Sequence, residues 1–297
     1  MKINILYRIV DTPTGGGNQL LRSLRDRFKW LECYTDSFEE ADVFLYNGHQ
    51  EHEMVKQLKQ KYPNKTFIHR LDGLQKLYNE PNDIRQDQAL EINKIADGTI
   101  FQSHWTKEEF RKVGFDNRRR SRVIHNAANT RIFYPDKTNN SSKTILVTSS
   151  WSDNWKKGFK YYKYLDENLD FNKYEYWFIG NSPFVFKNIE MIKPLTSQDL
   201  SIMLRKADIF ISGVQFDACS NSILEALATG LPVVALDSGA NSELVNNNGM
   251  LFNGTEDVIE KIDEVNTLKE RISKNINTKN TEQVALEYIN FFEGCLK

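Results

Sequence analysis

Short apolar runs rich in valine, isoleucine and phenylalanine alternate along this chain with segments of helical spacing, and the alternation occurs twice. A short apolar run with no polar alternation reads as a strand buried on both faces. That is the condition of a parallel sheet covered by crossover helices. The first series of runs is 3–10, 31–34, 41–46, 66–71, 98–102 and 123–125. Between them lie helical patterns such as 19–28, with Leu20, Leu21, Leu24 and Phe28 on one side, and 83–96, with Ile84, Leu90, Ile92 and Ile95. Ser103 is placed to cap a helix over 105–113. The second series is 144–148, 174–179, 189–192, 209–212 and 233–236, separated by helices at 159–165, 197–206 and 222–228. The polar stretch 129–143, rich in asparagine, serine and threonine, divides the two series. The expected fold is therefore α/β, with two doubly wound Rossmann-like domains facing each other across a cleft. The expected boundaries are 1–130, a linker at 131–143, and 144–297, the last ending in a charged helical tail.

A chain of 297 residues with 40% hydrophobic residues supports two such cores. The 39 basic and 40 acidic residues leave a net charge of -1, which argues against a nucleic-acid binder. Cys33, Cys219 and Cys295 form neither a C-x-x-C pair nor a zinc-like cluster, so a reduced cytoplasmic protein without a resident metal is expected. No run reaches the roughly 18 apolar residues of a membrane span, which leaves at most peripheral membrane contact.

In open α/β sheets ligands bind beyond the carboxyl ends of the strands. Four stretches there carry chemistry. Gly15, Gly16 and Gly17 lie between the first strand and its helix. They suit either a tight βα turn or close approach to an anion, and they do not form G-x-G-x-x-G. His69, Arg70 and Asp72 crowd the end of 66–71, as a ligand site or as an Arg–Asp pair that shapes a turn around a half-buried histidine. Lys156 and Lys157 precede Gly158 at a helix start, where an ammonium and backbone N–H groups would meet a phosphate. The bland alternative is an exposed lysine pair. Away from those carboxyl ends, four arginines within 118–122 are read first as a solvated loop and second as an anion contact.

The fourth stretch is 215–245. Glu225 sits among Ile223, Leu224, Ala226 and Leu227, so its carboxylate needs a partner or a ligand hydroxyl, and a vicinal diol such as ribose suits it. Asp217 precedes the helix, and Ser220 is its expected N-cap. The N–H groups of Asn221 and Ser222 would then be available to a phosphate.

These pieces resemble the donor domain of retaining glycosyltransferases with the GT-B fold, family 4 (group 1). The likeness rests on Trp155 to Phe159 (WKKGF), Phe178-Ile179-Gly180 and Ala207 to Ile211 (ADIFI). It rests further on DACSNSILEALATGLPVV from Asp217 to Val234, on Ser238-Gly239 with Glu243, and on Gly249 to Phe252. It is dense over 149–252 and thinner in the first half, through the glycine loop and the hinge-like VIHNAANTRIFYP at 123–135. The resemblance implies an acceptor-side domain at 1–130 and a donor domain at 144–297. It gives Glu225 the ribose hydroxyls, Asp217 the transferred sugar and Lys157 the diphosphate. Segment 192–195, with Ile192, Pro194 and Leu195, reads the base. His69 and Asp72 fall at the first-domain catalytic position, and Gly16 and Gly17 in the loop that closes over the donor. The chain departs from the family in having Asp at 217 where the family has Glu. It also lacks the arginine that accompanies the lysine, a role left to Ser150, Ser152 or Lys156. Arg70 joins Lys157 and the amides of 220–222 as a candidate for the leaving diphosphate.

The expected activity is transfer of a sugar, with retention and without a metal or other cofactor, from a UDP- or GDP-sugar to a glycan, polysaccharide or lipid-linked acceptor. A nucleotide-sugar epimerase, a phosphorylase-like enzyme and a degenerate member that binds without turnover are the rivals. An oxidoreductase using the first glycine loop is the weakest reading.

Overall fold

The computed structural model describes residues 1–10, 16–116, 120–138 and 141–296. Gly15, Arg118 and Arg119 lie outside the described residues, as does the side-chain environment of Gly16. The chain forms two compact units, one of 1–126 together with 280–297, the other of 127–279. The first unit contains β1 (Ile3–Leu6), α1 (Gly16–Trp30), β2 (Val43–Asn47), α2 (His52–Lys61), β3 (Thr66–Leu71), α3 (Gln75–Tyr78), α4 (Ile84–Asn93), β4 (Gly98–Phe101), α5 (His104–Lys112) and β5 (Ser121–Val123). Its parallel strands run β1-β2-β3-β4-β5, and an isolated bridge from Ile3 to Tyr34 adds a contact on the free side of β1. Phe44, Tyr46, Phe67 and Ile92 are buried in the core beneath α2 and α4. Ser103 caps α5 as expected, accepting from Thr106 N at 3.0 Å.

The second unit contains β6 (Thr144–Ser150), one 3-10 turn at Trp155–Lys157, α6 (Phe159–Asn168), β7 (Tyr174–Gly180), β8 (Glu190–Ile192), α7 (Ser197–Lys206), β9 (Ile209–Ser212), α8 (Asn221–Ala228), β10 (Val233–Leu236), α9 (Asn241–Val245), β11 (Gly249–Phe252) and α10 (Val258–Asn275). Its six parallel strands are ordered β11-β10-β9-β6-β7-β8. Helices on both faces explain why nearly every strand position is apolar.

Several elements differ from the sequence-based expectations. The first strand stops at Leu6, because the next amides are used locally. Tyr7 N bonds Ile5 O at 3.0 Å and Ile9 N bonds Tyr7 O at 2.9 Å, while Val10 is clamped through both backbone groups by buried Asn18. The run 31–34 contributes only the Tyr34 bridge. At the other end of the chain, α11 (Thr281–Glu293) was expected as a tail of the second domain. It packs instead with α1 in the first unit, with Phe28 and Phe292 6.2 Å apart and Arg27 paired to Glu282 at 3.1 Å. Buried Tyr288, Phe291 and Phe292 make this docking apolar.

Candidate functional site

The strand order of the second unit reverses at β6. One connection leaves it through α6 toward β7, and the chain later returns to its other side as β9. Loops after two such strands diverge and leave a crevice between them. The loop after β6 carries Lys157; the loop after β9 carries Asp217. Their side chains meet, with Lys157 Nζ 3.4 Å from Asp217 Oδ2.

Glycines set this meeting. Gly158 has φ 100° and lies against the backbone of Gly213, and Gln215 N donates to Lys156 O at 2.9 Å. Gly213 N in turn donates to the hydroxyl of buried Tyr162 at 2.9 Å. The Asp217 turn is held from behind. Asp217 Oδ1 accepts from Cys219 N at 3.1 Å, Phe216 N donates to Ser238 Oγ at 3.1 Å, and Ala240 N donates to Asp217 O at 3.0 Å.

Glu225 lies one turn into α8, beside buried Leu224 and Ala226. Among the described residues, no hydrogen bond or ion pair reaches its carboxylate. Desolvation is the cause that raises its acid from an ordinary 4.5 to about 8. A carboxylate in that condition gains free energy from any ligand that brings hydrogen-bond donors.

Other expected donor-site residues vary in their placement. Ser220 stands at the N-cap position of α8, but its hydroxyl bonds that of Ser222 at 3.0 Å and does not cap a backbone amide. Asn221 and Ser222 form the first turn and are half-buried. Ser150 is turned inward, donating to Ser152 O at 2.8 Å, which commits the hydroxyl proposed for a phosphate. The Lys156 ammonium lies 5.8 Å from the ring centre of Phe216. In segment 192–195, Ile192 and Leu195 pack on the core and Pro194 is exposed.

In the first unit, two sequence-based assignments are corrected. His69 is fully buried, stacked on Tyr46 at 4.4 Å, and both ring nitrogens are used inside the fold: Nε2 lies 2.7 Å from Gly48 O, and Nδ1 lies 3.1 Å from Asn93 Nδ2. Burial lowers its pKa to about 3, so the ring is neutral, donates to Gly48 O and accepts from Asn93. It has no face left for substrate.

Arg70 is equally buried. Its guanidinium donates to Asn47 Oδ1 at 2.5 Å, Asp72 Oδ1 at 2.9 Å and Asn126 Oδ1 at 2.8 Å. This is the Arg–Asp pair of the alternative reading, and it removes Arg70 from the donor diphosphate. Asp72 keeps a partly exposed side chain, held further by Asn47 at 2.7 Å and Gln102 at 2.8 Å. Gly17 brings the first turn of α1 to Asn47, since a Cβ there would lie 3.8 Å from Asn47 Nδ2.

Sequence reasoning missed Asn47, Gln102 and Asn126 as one network. Asn47 and Gln102 each come directly after apolar strand residues and Asn126 follows His125 just past the last strand run, and that was the available signal. It also missed half-buried His49, whose surroundings include Asp72, Asp83 and Arg85 and whose pKa is lowered first by desolvation.

The same architecture recurs in solved structures. Sucrose-phosphate synthase from Thermosynechococcus elongatus aligns with TM-score 0.76 at 14% identity, over 99% of this chain and 98% of that one. Anabaena HepE, solved with UDP-glucose, gives 0.71 at 14%, over 99% and 98%. The lipopolysaccharide outer core galactosyltransferase WaaB, in its apo form, gives 0.71 at 12%, over 99% of both chains. The fold is thus GT-B, built from two Rossmann-like α/β units. Within it, residues 144–268 match the family model for glycosyl transferases group 1. No curated protein sequence matches the chain.

Proposed function

We propose that this protein is a family 4 glycosyltransferase that moves a sugar, with retention, from a nucleoside-diphosphate sugar to a hydroxyl of a glycan, polysaccharide or lipid-linked acceptor. One observation carries the donor half of this reading. Glu225 is a desolvated carboxylate without a partner among the described residues, in a unit whose switch-point crevice also holds an ammonium. A ribose diol answers the first group and a diphosphate the second. The match of 144–268 to group 1 glycosyl transferases supports the same pairing. Neighbours solved with UDP or UDP-glucose favour a UDP-sugar over a GDP-sugar.

In the proposed reaction the bond from the anomeric carbon to the diphosphate breaks. A bond to the acceptor oxygen forms on the same face, and the acceptor proton passes to the departing phosphate oxygen. Lys157 and the first-turn amides of α8, Asn221 and Ser222 included, stabilise the charge that develops on the diphosphate, the main catalytic contribution in such a site. The positive charge comes from lysine, so the proposed mechanism is metal-independent. Backbone groups of 192–195 hold the base, and Gly16 and Gly17 border the donor. Asp72 is the first-unit group proposed to meet the acceptor. The same reading puts the protein in the cytoplasm, with at most peripheral membrane contact. Among the described residues no helix is long and apolar enough to cross a membrane.

The test is a panel of UDP-, GDP- and ADP-sugars, read by thermal shift and by transfer or hydrolysis, on wild type, Glu225→Ala and Lys157→Ala. A cognate nucleotide sugar raises the melting temperature of the wild type, and both substitutions abolish turnover. Turnover that survives both removes the site assignment. The ion pair between Lys157 and Asp217 favours one second reading, a protein that binds a sugar nucleotide without turnover. Tight binding with no transfer to any acceptor is its signature.

A further inference from the structure

We propose that Asp217 is a built-in competitor of the nucleoside diphosphate: it holds the Lys157 ammonium while the donor pocket is empty and reclaims it from the product, speeding product release. The inference rests on the donor-site reading above and changes the role that resemblance gives to Asp217, contact with the transferred sugar.

The geometry assigns both oxygens of this carboxylate. Oδ1 closes a turn on Cys219 N at 3.1 Å, and Oδ2 lies 3.4 Å from Lys157 Nζ. A sugar hydroxyl would share an already engaged oxygen with one of these contacts. The carboxylate also has little freedom to move. Phe216 has φ 55°, a left-handed conformation that a bulky residue adopts only when its surroundings impose it. Gly239, with φ 61°, approaches so closely that a Cβ there would lie 2.6 Å from Asp217 O and 2.7 Å from Asp217 N. Aspartate brings its charge one methylene less far than glutamate would. The mobile member of the pair is Lys157, whose four-carbon stem starts from a backbone pinned by Gly158.

The charges then set the sequence of events. In the empty pocket the Asp217 carboxylate lies against the ammonium and offsets its charge. A diphosphate carries more charge than one carboxylate and draws the lysine away. Asp217 is then left unpaired beside an anion, which raises the energy of the bound state. Once the sugar has been transferred, no sugar contact offsets that repulsion, and the diphosphate leaves as the lysine returns. Product release limits turnover in many enzymes, so such a device acts on kcat.

Asp217→Asn tests this directly, because an amide oxygen can still close the turn on Cys219 while the charge is lost. The measurements are affinity and dissociation rate of UDP and GDP, and affinity for the cognate nucleotide sugar. They are made on wild type, Asp217→Asn, Lys157→Gln and the double variant, with melting temperatures as a check on folding. The expected result for Asp217→Asn is roughly tenfold tighter diphosphate binding with slower dissociation and a lower kcat. In the Lys157→Gln background the gain shrinks. Asp217→Glu, with the charge kept, does not reproduce it. Diphosphate affinity that Asp217→Asn leaves unchanged or weakens overturns the proposal, and selective loss of nucleotide-sugar affinity restores the sugar-contact role. If the wild type binds neither UDP nor GDP, the donor-site reading itself fails, a result distinct from both.

Discussion

Gly158 and Gly213 touch backbone to backbone. A Cβ on Gly158 would lie 2.5 Å from Gly213 Cα, and one on Gly213 would lie 2.9 Å from Gly158 Cα and 3.0 Å from the Tyr161 ring. Gly158 ends the loop after β6 and Gly213 begins the loop after β9, the two loops that diverge at the switch point of the second sheet, so the contact sets the distance between Lys157 and Asp217.

Gly213→Ala therefore forces the loops apart. The expected cost is about 1–3 kcal/mol of stability, from overpacking against atoms that cannot withdraw. Nucleotide affinity falls by more than this destabilisation alone would cause, because Lys157 is displaced. Calorimetric unfolding together with titration of UDP separates the two effects. Gly158→Ala is the more severe change, since its φ of 100° also disfavours a side chain.

Glu225 gives a pH signature. Its acid is raised in the folded state from 4.5 to about 8. Below pH 4.5 the group is protonated in both folded and unfolded chains and costs nothing. As pH rises from 4.5 to 8 the unfolded chain ionises first, so stability is lost through that window and levels off above it. Glu225→Gln removes this slope and is more stable than wild type above pH 8, by on the order of 2–4 kcal/mol. It loses nucleotide affinity at the same time. Melting temperatures across pH 5–9 check the first statement and calorimetric titration the second.

His69 behaves in the opposite sense. Its pKa is lowered to about 3, so its contribution is present above an ordinary 6.5 and is lost as pH falls from 6.5 toward 3. His69→Ala leaves Gly48 O and Asn93 without their ring partner and opens a cavity, costing roughly 3–4 kcal/mol. His69→Gln supplies a donor and an acceptor. It is expected to fold, to show a flatter acid limb in denaturation curves and to keep transfer within about tenfold. Added imidazole has no effect on transfer by His69→Ala, which distinguishes a structural ring from a catalytic one.

Deletion of 280–297 strips Tyr288, Phe291 and Phe292 from the first unit. Three buried aromatics are worth about 5 kcal/mol or more, a large share of a domain's stability. The first unit is expected to become protease-sensitive while 127–279 keeps its protection. A finer probe is Gly98→Ala, whose Cβ would lie 2.8 Å from Cys295 Sγ and 3.0 Å from Phe291. It loosens α11 without shortening the chain, and the same selective cleavage in limited proteolysis reports it.

Much of the fold was legible because strand and helix periodicity is local. The apolar runs at 66–71, 144–148 and 209–212 became β3, β6 and β9, and the polar stretch after residue 128 lies beside the division at Asn126. Glu225 and Lys157 were legible for a related reason. A carboxylate inside an apolar helix start and a lysine before a glycine are unusual in a few consecutive residues, whatever surrounds them.

The direction of a side chain is another matter. β3 is buried along its whole length, so its sequence cannot say whether His69 and Arg70 reach a ligand or the helices packed over the sheet. Those answers depend on Gly48, Asn93 and Asn126, which come from another helix and from the loops after other strands. The docking of α11 onto α1 joins residues more than 250 positions apart, and no short-range pattern encodes it. The same holds for Asp217 and Lys157, separated by 60 positions. The sequence by itself determined two covered parallel sheets and the charged groups at their carboxyl ends. Only the tertiary structure decided which of those groups turned inward, which met one another and which has no partner among the described residues, because burial and pairing depend on surfaces that exist only once distant segments have packed.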